Sequence, residues 1–175
     1  PPEGRTVHLK EYGFIPVDKS IKSGTIKMKA GKFFISVITD EVNDIQINNE
    51  NDGIGIDLGI INFCVSSNGM TFPNINKTLT VKKLNRALKR EQRKLSRKYE
   101  AKKKNPFNSK NIEKQVLKIQ RIYLKIGNIQ KDYHNQVVNK IVRTKPSFIT
   151  IEDLNIRGMM RNKHLSKAIA QQGFF

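Results

Sequence analysis

The 175-residue sequence has one cysteine, Cys64. One thiol cannot close an intramolecular disulfide, and it excludes a zinc site built from several cysteines of this chain. Cys64 lies in a β-type apolar run and reads as a small apolar side chain. No apolar stretch approaches the roughly 20 residues of a membrane-spanning helix, and no secretory signal is visible. Acids are scarce: 15 Asp and Glu stand against 33 Lys and Arg, a formal net charge of +18. From Leu154 to Phe175 there is no carboxylate side chain at all. Solubility does not require a cationic excess of this size. It points to a polyanion, and without a membrane segment the partner favoured is nucleic acid. Hydrophobic residues make up 37% of the chain, so a core can form, and the length suits one modest domain or one and a half.

Where acids do occur in apolar surroundings, they stand out. Gly53-Ile54-Gly55-Ile56-Asp57-Leu58-Gly59-Ile60-Ile61-Asn62-Phe63-Cys64-Val65 reads as two adjacent strands, with one carboxylate on the first. An acid amid such a run is costly if buried unless it is paired or binds a cation. Asp57 alone also fits a strand-end Asp bonding its own turn. A second strand-like run, Ser147-Phe148-Ile149-Thr150-Ile151-Glu152-Asp153-Leu154-Asn155, ends in acids too. Strand side chains alternate between faces, so only one of Glu152 and Asp153 can share a face with Asp57. Two acid-bearing strands are what a divalent-metal site on a sheet needs, since hard cations such as Mg²⁺ take oxygen ligands.

The segments GIDLGIINF (55–63) and ITIEDLNIRGM (149–159) resemble the two RuvC-type motifs of the TnpB/OrfB family of transposon-encoded proteins. That family is related to the type V CRISPR effectors. The resemblance runs from about Pro16 to the end of the chain. It implies an α/β fold: an RNase H-like (RuvC-like) sheet with a long basic helical hairpin inserted at about 81–144, occupying 51–175. A partial β-barrel, wedge-type domain is implied for 1–50. It also implies an RNA-guided, Mg²⁺- or Mn²⁺-dependent DNA endonuclease, with Asp57 and Glu152 as catalytic metal ligands and Asp153 and Asn155 as neighbours. Guide RNA and target DNA are the implied partners, in a prokaryotic cytoplasm or nucleoid. The family completes its site with a third acid that follows a four-cysteine zinc ribbon, and neither is present in this sequence. The chain is therefore expected to be a fragment or a truncated relative. The alternative is a non-cleaving, nucleic-acid-binding descendant of the family. A ribosome-associated or other structural RNA-binding protein explains the charge equally well but not the two acid-bearing strands.

Along the chain, Gly13–Val17, Gly24–Lys29 and Lys32–Ile38 carry strand signals. Ala30-Gly31 reads as a hairpin turn, and the alternation of Ile26 and Met28 with Lys27 and Lys29 reads as a half-exposed strand. Residues 40–52 are polar and suit a linker. Two or three strands follow up to Phe72, with Asn68-Gly69 as a turn. Leu84, Leu88, Leu95 and Tyr99 then form the apolar seam of a helix. Between Lys82 and Lys104 that helix has twelve Lys or Arg against two Glu. Asn105-Pro106 ends it, and Asn108-Ser109 can cap a second helix. The second stripe comprises Ile112, Val116, Ile119, Tyr123, Ile126, Tyr133 and Val137, widened by Ile122, Ile129, Val138 and Ile141. Both Tyr123 and Tyr133 fall on it as core residues.

Such a hairpin presents Arg86, Lys89, Arg90, Arg93, Lys94 and Arg97 outward. A charge run is often only a solvated face, but one-sided imbalance favours nucleic acid. Beyond the second motif, Arg157, Arg161 and Lys163 add cations, while Leu165, Ala168 and Ile169 begin another apolar stripe. His164 reads as a surface or phosphate-contacting residue. Contacts of this kind go mainly to phosphates and release counterions. Six phosphate contacts predict that affinity for a labelled oligonucleotide, followed by fluorescence anisotropy, falls on the order of a thousandfold between about 50 and 200 mM salt.

Overall fold

The computed structural model describes residues 6–9, 13–16, 21–39, 51–104 and 109–174. The chain divides into two compact units, Pro1–Ile47 and Asn48–Phe175. Most of the expected linker (40–50), Val17 and the hairpin loop Asn105–Asn108 lie outside the described residues.

In the first unit, β1 (Thr6–Leu9) pairs antiparallel with β2 (Gly13–Pro16), and β3 (Ile21–Lys29) with β4 (Lys32–Thr39). The β3–β4 turn is made by Ala30 and Gly31, at φ 53° and 72°. Two left-handed residues in succession match the twist of a tight hairpin. The barrel expectation for 1–50 corresponds, among the described residues, to these two separate ladders. The half-exposed strand is corrected: Ile26 and Met28 are exposed along with Lys27 and Lys29. No described element covers that face of β3, so its alternation has nothing to bury against.

The second unit is mixed α/β. Strands β5 (Ile54–Leu58), β6 (Asn62–Ser66) and β7 (Thr71–Pro73) form an antiparallel meander, and β8 (Ile149–Ile151) joins β5 in parallel, giving the order β7-β6-β5-β8. Gly69 supplies the β6–β7 turn at φ 87°. A parallel neighbour cannot be reached by a hairpin. The crossover is the helical pair α1 (Leu79–Lys104) and α2 (Ser109–Val142), which is followed after β8 by α3 (Ile156–Met160) and α4 (Ser166–Gln172).

The sequence sets the helix boundaries locally. Asn74 caps a 3₁₀ turn, Ile75–Lys77, by accepting from the Asn76 N–H. The Thr78 hydroxyl then accepts from the Val81 N–H at 3.5 Å at the head of α1. At the far end of α2, Lys145 adopts φ 49° and Pro146 blocks continuation.

Two apolar clusters hold the unit. Ile54, Ile56, Phe63, Cys64 and Phe72 of the sheet meet Val137 and Ile141 of α2, with Tyr133 and Phe174 packed at the side. Farther along the hairpin, Val81 and Leu88 of α1 meet Ile119 and Ile126 of α2. His134 stacks on Phe63 at 4.5 Å, and burial holds its pKa below the ordinary value against a hydrogen bond that the ring donates to the Gln172 backbone carbonyl.

The expected stripes need three corrections. Tyr99, Tyr123 and Val138 are exposed, because α1 and α2 bury only the seam at which they touch and these residues lie beside it. Leu165 is exposed, whereas Ile169 of the same stripe is fully buried. Strand β8 is shorter than its apolar run and forms an edge, leaving Ile149 and Ile151 at 41% and 54% exposure.

One buried charge organises the hairpin. Glu91 of α1 accepts from Gln115 of α2 at 2.8 Å, and Lys94 and Lys118 approach it at 2.9 and 3.4 Å. These hydrogen bonds, led by that of Gln115 and followed by that of Lys94, hold its pKa at about 2, against 4.5 for an ordinary glutamate. The folded pKa is the lower one, so the stabilisation is complete above about 4.5 and is lost as pH falls toward 2. Thermal melts followed by circular dichroism should show melting temperature dropping through that window, and Glu91→Gln should flatten the acid dependence.

Candidate functional site

The Asp57 strand is fixed from both edges. On one side Ile56, Asp57 and Leu58 pair with Ser66, Val65 and Cys64 of β6. On the other, Ile54, Gly55 and Ile56 pair with Ile149, Thr150 and Ile151 of β8. The hydroxyl of Ser67 accepts from the Gly55 N–H at 3.0 Å, and the Gly55 carbonyl accepts from the Ser67 N–H at 2.8 Å. At the entry to β5, the Phe148 ring lies over Gly53, so close that an added Cβ would sit 2.2 Å from the ring. Any side chain there would displace the Phe148 ring.

Ile54 and Ile56 face the core, so Asp57 points to the opposite face, where it is exposed beside the exposed Val65. The parallel register ends at the Ile56–Ile151 pair; Asp57 is the next residue of β5, and Glu152, exposed as well, is the first residue after β8. The desolvation expected for Asp57 is corrected: its carboxylate is solvent-exposed, so no burial cost demands a partner. Asn155, the neighbour of the acids in the second motif, caps α3 by accepting from the Gly158 N–H at 2.9 Å.

Amides buttress the turn that follows Asp57. Gln172 of α4, almost wholly buried, donates to the carbonyls of Gly59 at 2.7 Å and Ile60 at 3.4 Å. Asn74 donates to the Ile60 carbonyl at 2.8 Å. Asn76 donates to the Gln171 carbonyl, and Gln130 of α2 donates to Asn76 at 2.8 Å. None of these amides was singled out in the sequence, where isolated Asn and Gln carry no periodic signal.

The cations fall into two groups. Arg86, Lys89, Arg90, Arg93 and Arg97 of α1 are exposed, whereas Lys94 is held by Glu91. Arg157 lies on α3, and Arg161 and Lys163 follow it, all exposed; His164 is exposed as well. Among the described residues, no three or more His, Cys, Asp or Glu gather as a metal-binding group. Nor is any described helix long and apolar enough to cross a membrane.

The chain is thus an α/β protein with an exposed carboxylate on β5, another directly after the parallel strand β8, and a one-sidedly basic helical hairpin between the two strands. Residues 36–163 match the OrfB_IS605 family, described as "Probable transposase", and the chain belongs to that family. Both acid-bearing motifs lie inside the matched span. The chain is 30% identical over 153 residues to the "Putative RNA-guided DNA endonuclease InsQ" of Escherichia coli (strain K12), covering 87% of this chain and 35% of that protein. It is 27% identical over 144 residues to a "Putative RNA-guided DNA endonuclease" of Streptomyces pristinaespiralis, covering 81% and 32%. It spans about a third of the length of both relatives.

Because Asp57 and Glu152 are exposed and carry none of the packing, Asp57→Ala and Glu152→Ala should each change unfolding free energy by no more than about 0.5 kcal/mol in urea denaturation.

Proposed function

We propose that this chain is part of a transposon-associated, RNA-guided DNA endonuclease in which Asp57 and Glu152 are two of the catalytic metal ligands. The observation that supports this reading is the parallel β5–β8 pairing, in which Asp57 follows one member of the Ile56–Ile151 pair and Glu152 follows the other. The meander joined by a parallel fourth strand supports an RNase H-like, RuvC-like sheet for 51–175, and the two hairpins of the first unit support a wedge-like part for 1–50. The names of both relatives support guide RNA and target DNA as partners.

The acid pair fits a Mg²⁺ or Mn²⁺ ion. Both carboxylates are accessible oxygen donors, and Mg²⁺ is commonly held by one or two carboxylates, with waters and substrate phosphates completing the shell. When bound, such an ion supplies Lewis-acid polarisation of a phosphoryl oxygen. Asp57, carried by β5, and Glu152, directly after β8, would hold it. The exposed cations of α1, together with Arg157, Arg161 and Lys163, hold the nucleic-acid backbone by charge, without reading sequence.

A second reading rests on the metal-ligand count. With no group of three or more candidate ligands among the described residues, the chain by itself binds nucleic acid without cleaving it. Labelled single- and double-stranded DNA incubated with Mg²⁺ or Mn²⁺ decides between the two. Metal-dependent cleavage by the wild type, reduced at least about a hundredfold in both Asp57→Ala and Glu152→Ala, supports a working two-acid site. Salt-sensitive binding without cleavage supports the second reading. Absence of binding overturns both.

A further inference from the structure

Two cavities adjoin along α1. One, of about 380 Å³, lies between α1, the 3₁₀ turn and α4, and is lined by Lys77, Lys82, Arg86 and Lys167 beside the Ile60 backbone. The other, of about 670 Å³, lies between α1, α2 and α4 and contains Lys89, Gln92, Tyr123 and Gly127. Asn85, Lys167 and Gln171 line both, so the two form one groove. Cations are denser in the smaller part, which has Lys77, Lys82, Arg86 and Lys167 against Lys89 and Lys167 in the larger, and the ring of Tyr123 lies in the larger part alone.

The chemistry of the two ends differs in a way that defines a ligand. Four cations of the hairpin are engaged: Lys94 and Lys118 with Glu91, Lys103 with Glu100, and Lys98 with Gln115 and the Asn111 carbonyl. Among the described residues, Lys82, Arg86 and Lys167 have no carboxylate partner. Three unpaired cations around one concavity suit a phosphate. At the other end, Tyr123 occupies a position that the apolar periodicity assigns to the core, yet it is 51% exposed. Its hydroxyl accepts from Gln92 at 2.9 Å, which fixes the ring in the groove wall.

One turn along the same helix stands Gly127. Glycine in a helix interior is destabilising relative to alanine, and a Cβ at 127 would meet nothing within 4 Å. Packing does not require glycine there. What it provides is open space beside an anchored aromatic ring.

We infer that this groove is a binding site for an unpaired nucleotide of a single-stranded nucleic acid, with phosphate at Lys82, Arg86 and Lys167 and the base against Tyr123. The inference rests on the nucleic-acid reading of the chain and adds a strand state and a place. A duplex keeps its bases stacked inward and presents only phosphates, so it gains nothing from the aromatic end; an unpaired base gains stacking on an aromatic ring. The groove reaches Ile60, which follows Asp57 on the β5–β6 turn, so a strand lying in it leads toward the acid-bearing sheet.

The test is fluorescence anisotropy of the whole chain with a labelled oligothymidylate and with a blunt duplex of the same length at fixed salt. Tyr123→Ala is expected to weaken single-strand binding roughly tenfold and leave duplex binding within about twofold, whereas Tyr123→Phe keeps both. Gly127→Leu fills the cavity and should weaken single-strand binding by a similar factor while raising the melting temperature, since leucine is the better helix former. A purely structural role for the groove predicts no link between stability and strand preference. Single-strand binding unchanged in both Tyr123→Ala and Gly127→Leu overturns the groove and leaves the proposed function standing. Equal loss for single strand and duplex also overturns it, since the contacts would then be to backbone alone. If the wild type binds neither probe, the nucleic-acid reading and the groove fall together.

Discussion

The parallel pairing of β5 with β8 is the constraint on which the second unit depends. Its partners, such as Ile56 and Ile151, lie far apart in sequence, so closing this ladder requires a long crossover to be folded and docked. The α1–α2 hairpin supplies it. Val137 and Ile141 at the end of α2 pack under the strands that pair, and Asn51 ties the start of the sheet to the Thr144 carbonyl at 2.7 Å. Without that docking, Glu152 has no fixed relation to Asp57.

A division of labour between the two sheet faces follows. Isoleucines at 54 and 56 put the apolar face of β5 on α2, so the acid between them and Leu58 is turned outward by the pleat alone. The carboxylate needs no burial and no internal partner to be held in place. Its backbone is rigid, its side chain is accessible, and the turn after it is clamped by Gln172 and Asn74. This arrangement suits a group that must meet a charged substrate from solvent.

The hairpin shows how charge and structure separate. Where a cation has a structural task it is paired, as around buried Glu91, whose carboxylate joins α1 to α2 through Gln115. Where it has none, it lines open surface or a groove. The one-sided excess visible in the composition is therefore spread unequally, and the groove beside α4 collects cations that the internal network leaves unused.

Much of this was legible in the sequence. The GIDLG and ITIED segments, the turns at Ala30-Gly31 and Asn68-Gly69, and both long helices follow from local periodicity and turn chemistry, which depend on neighbouring residues only. Family membership followed from the same two segments. What only the tertiary structure decided is which side of each pattern is covered. Tyr99 and Tyr123 sit on apolar stripes yet are exposed, because two helices bury only a narrow seam. Ile26 and Met28 alternate with lysines yet are exposed on their hairpin, because nothing described packs there. The choice of Glu152 over Asp153 as the companion of Asp57 was open in the sequence, since alternation separates the two but cannot say which faces which strand. What the tertiary structure decided is that Ile56 stands abreast of Ile151, because hydrogen bonds between distant strands determine which residues are neighbours.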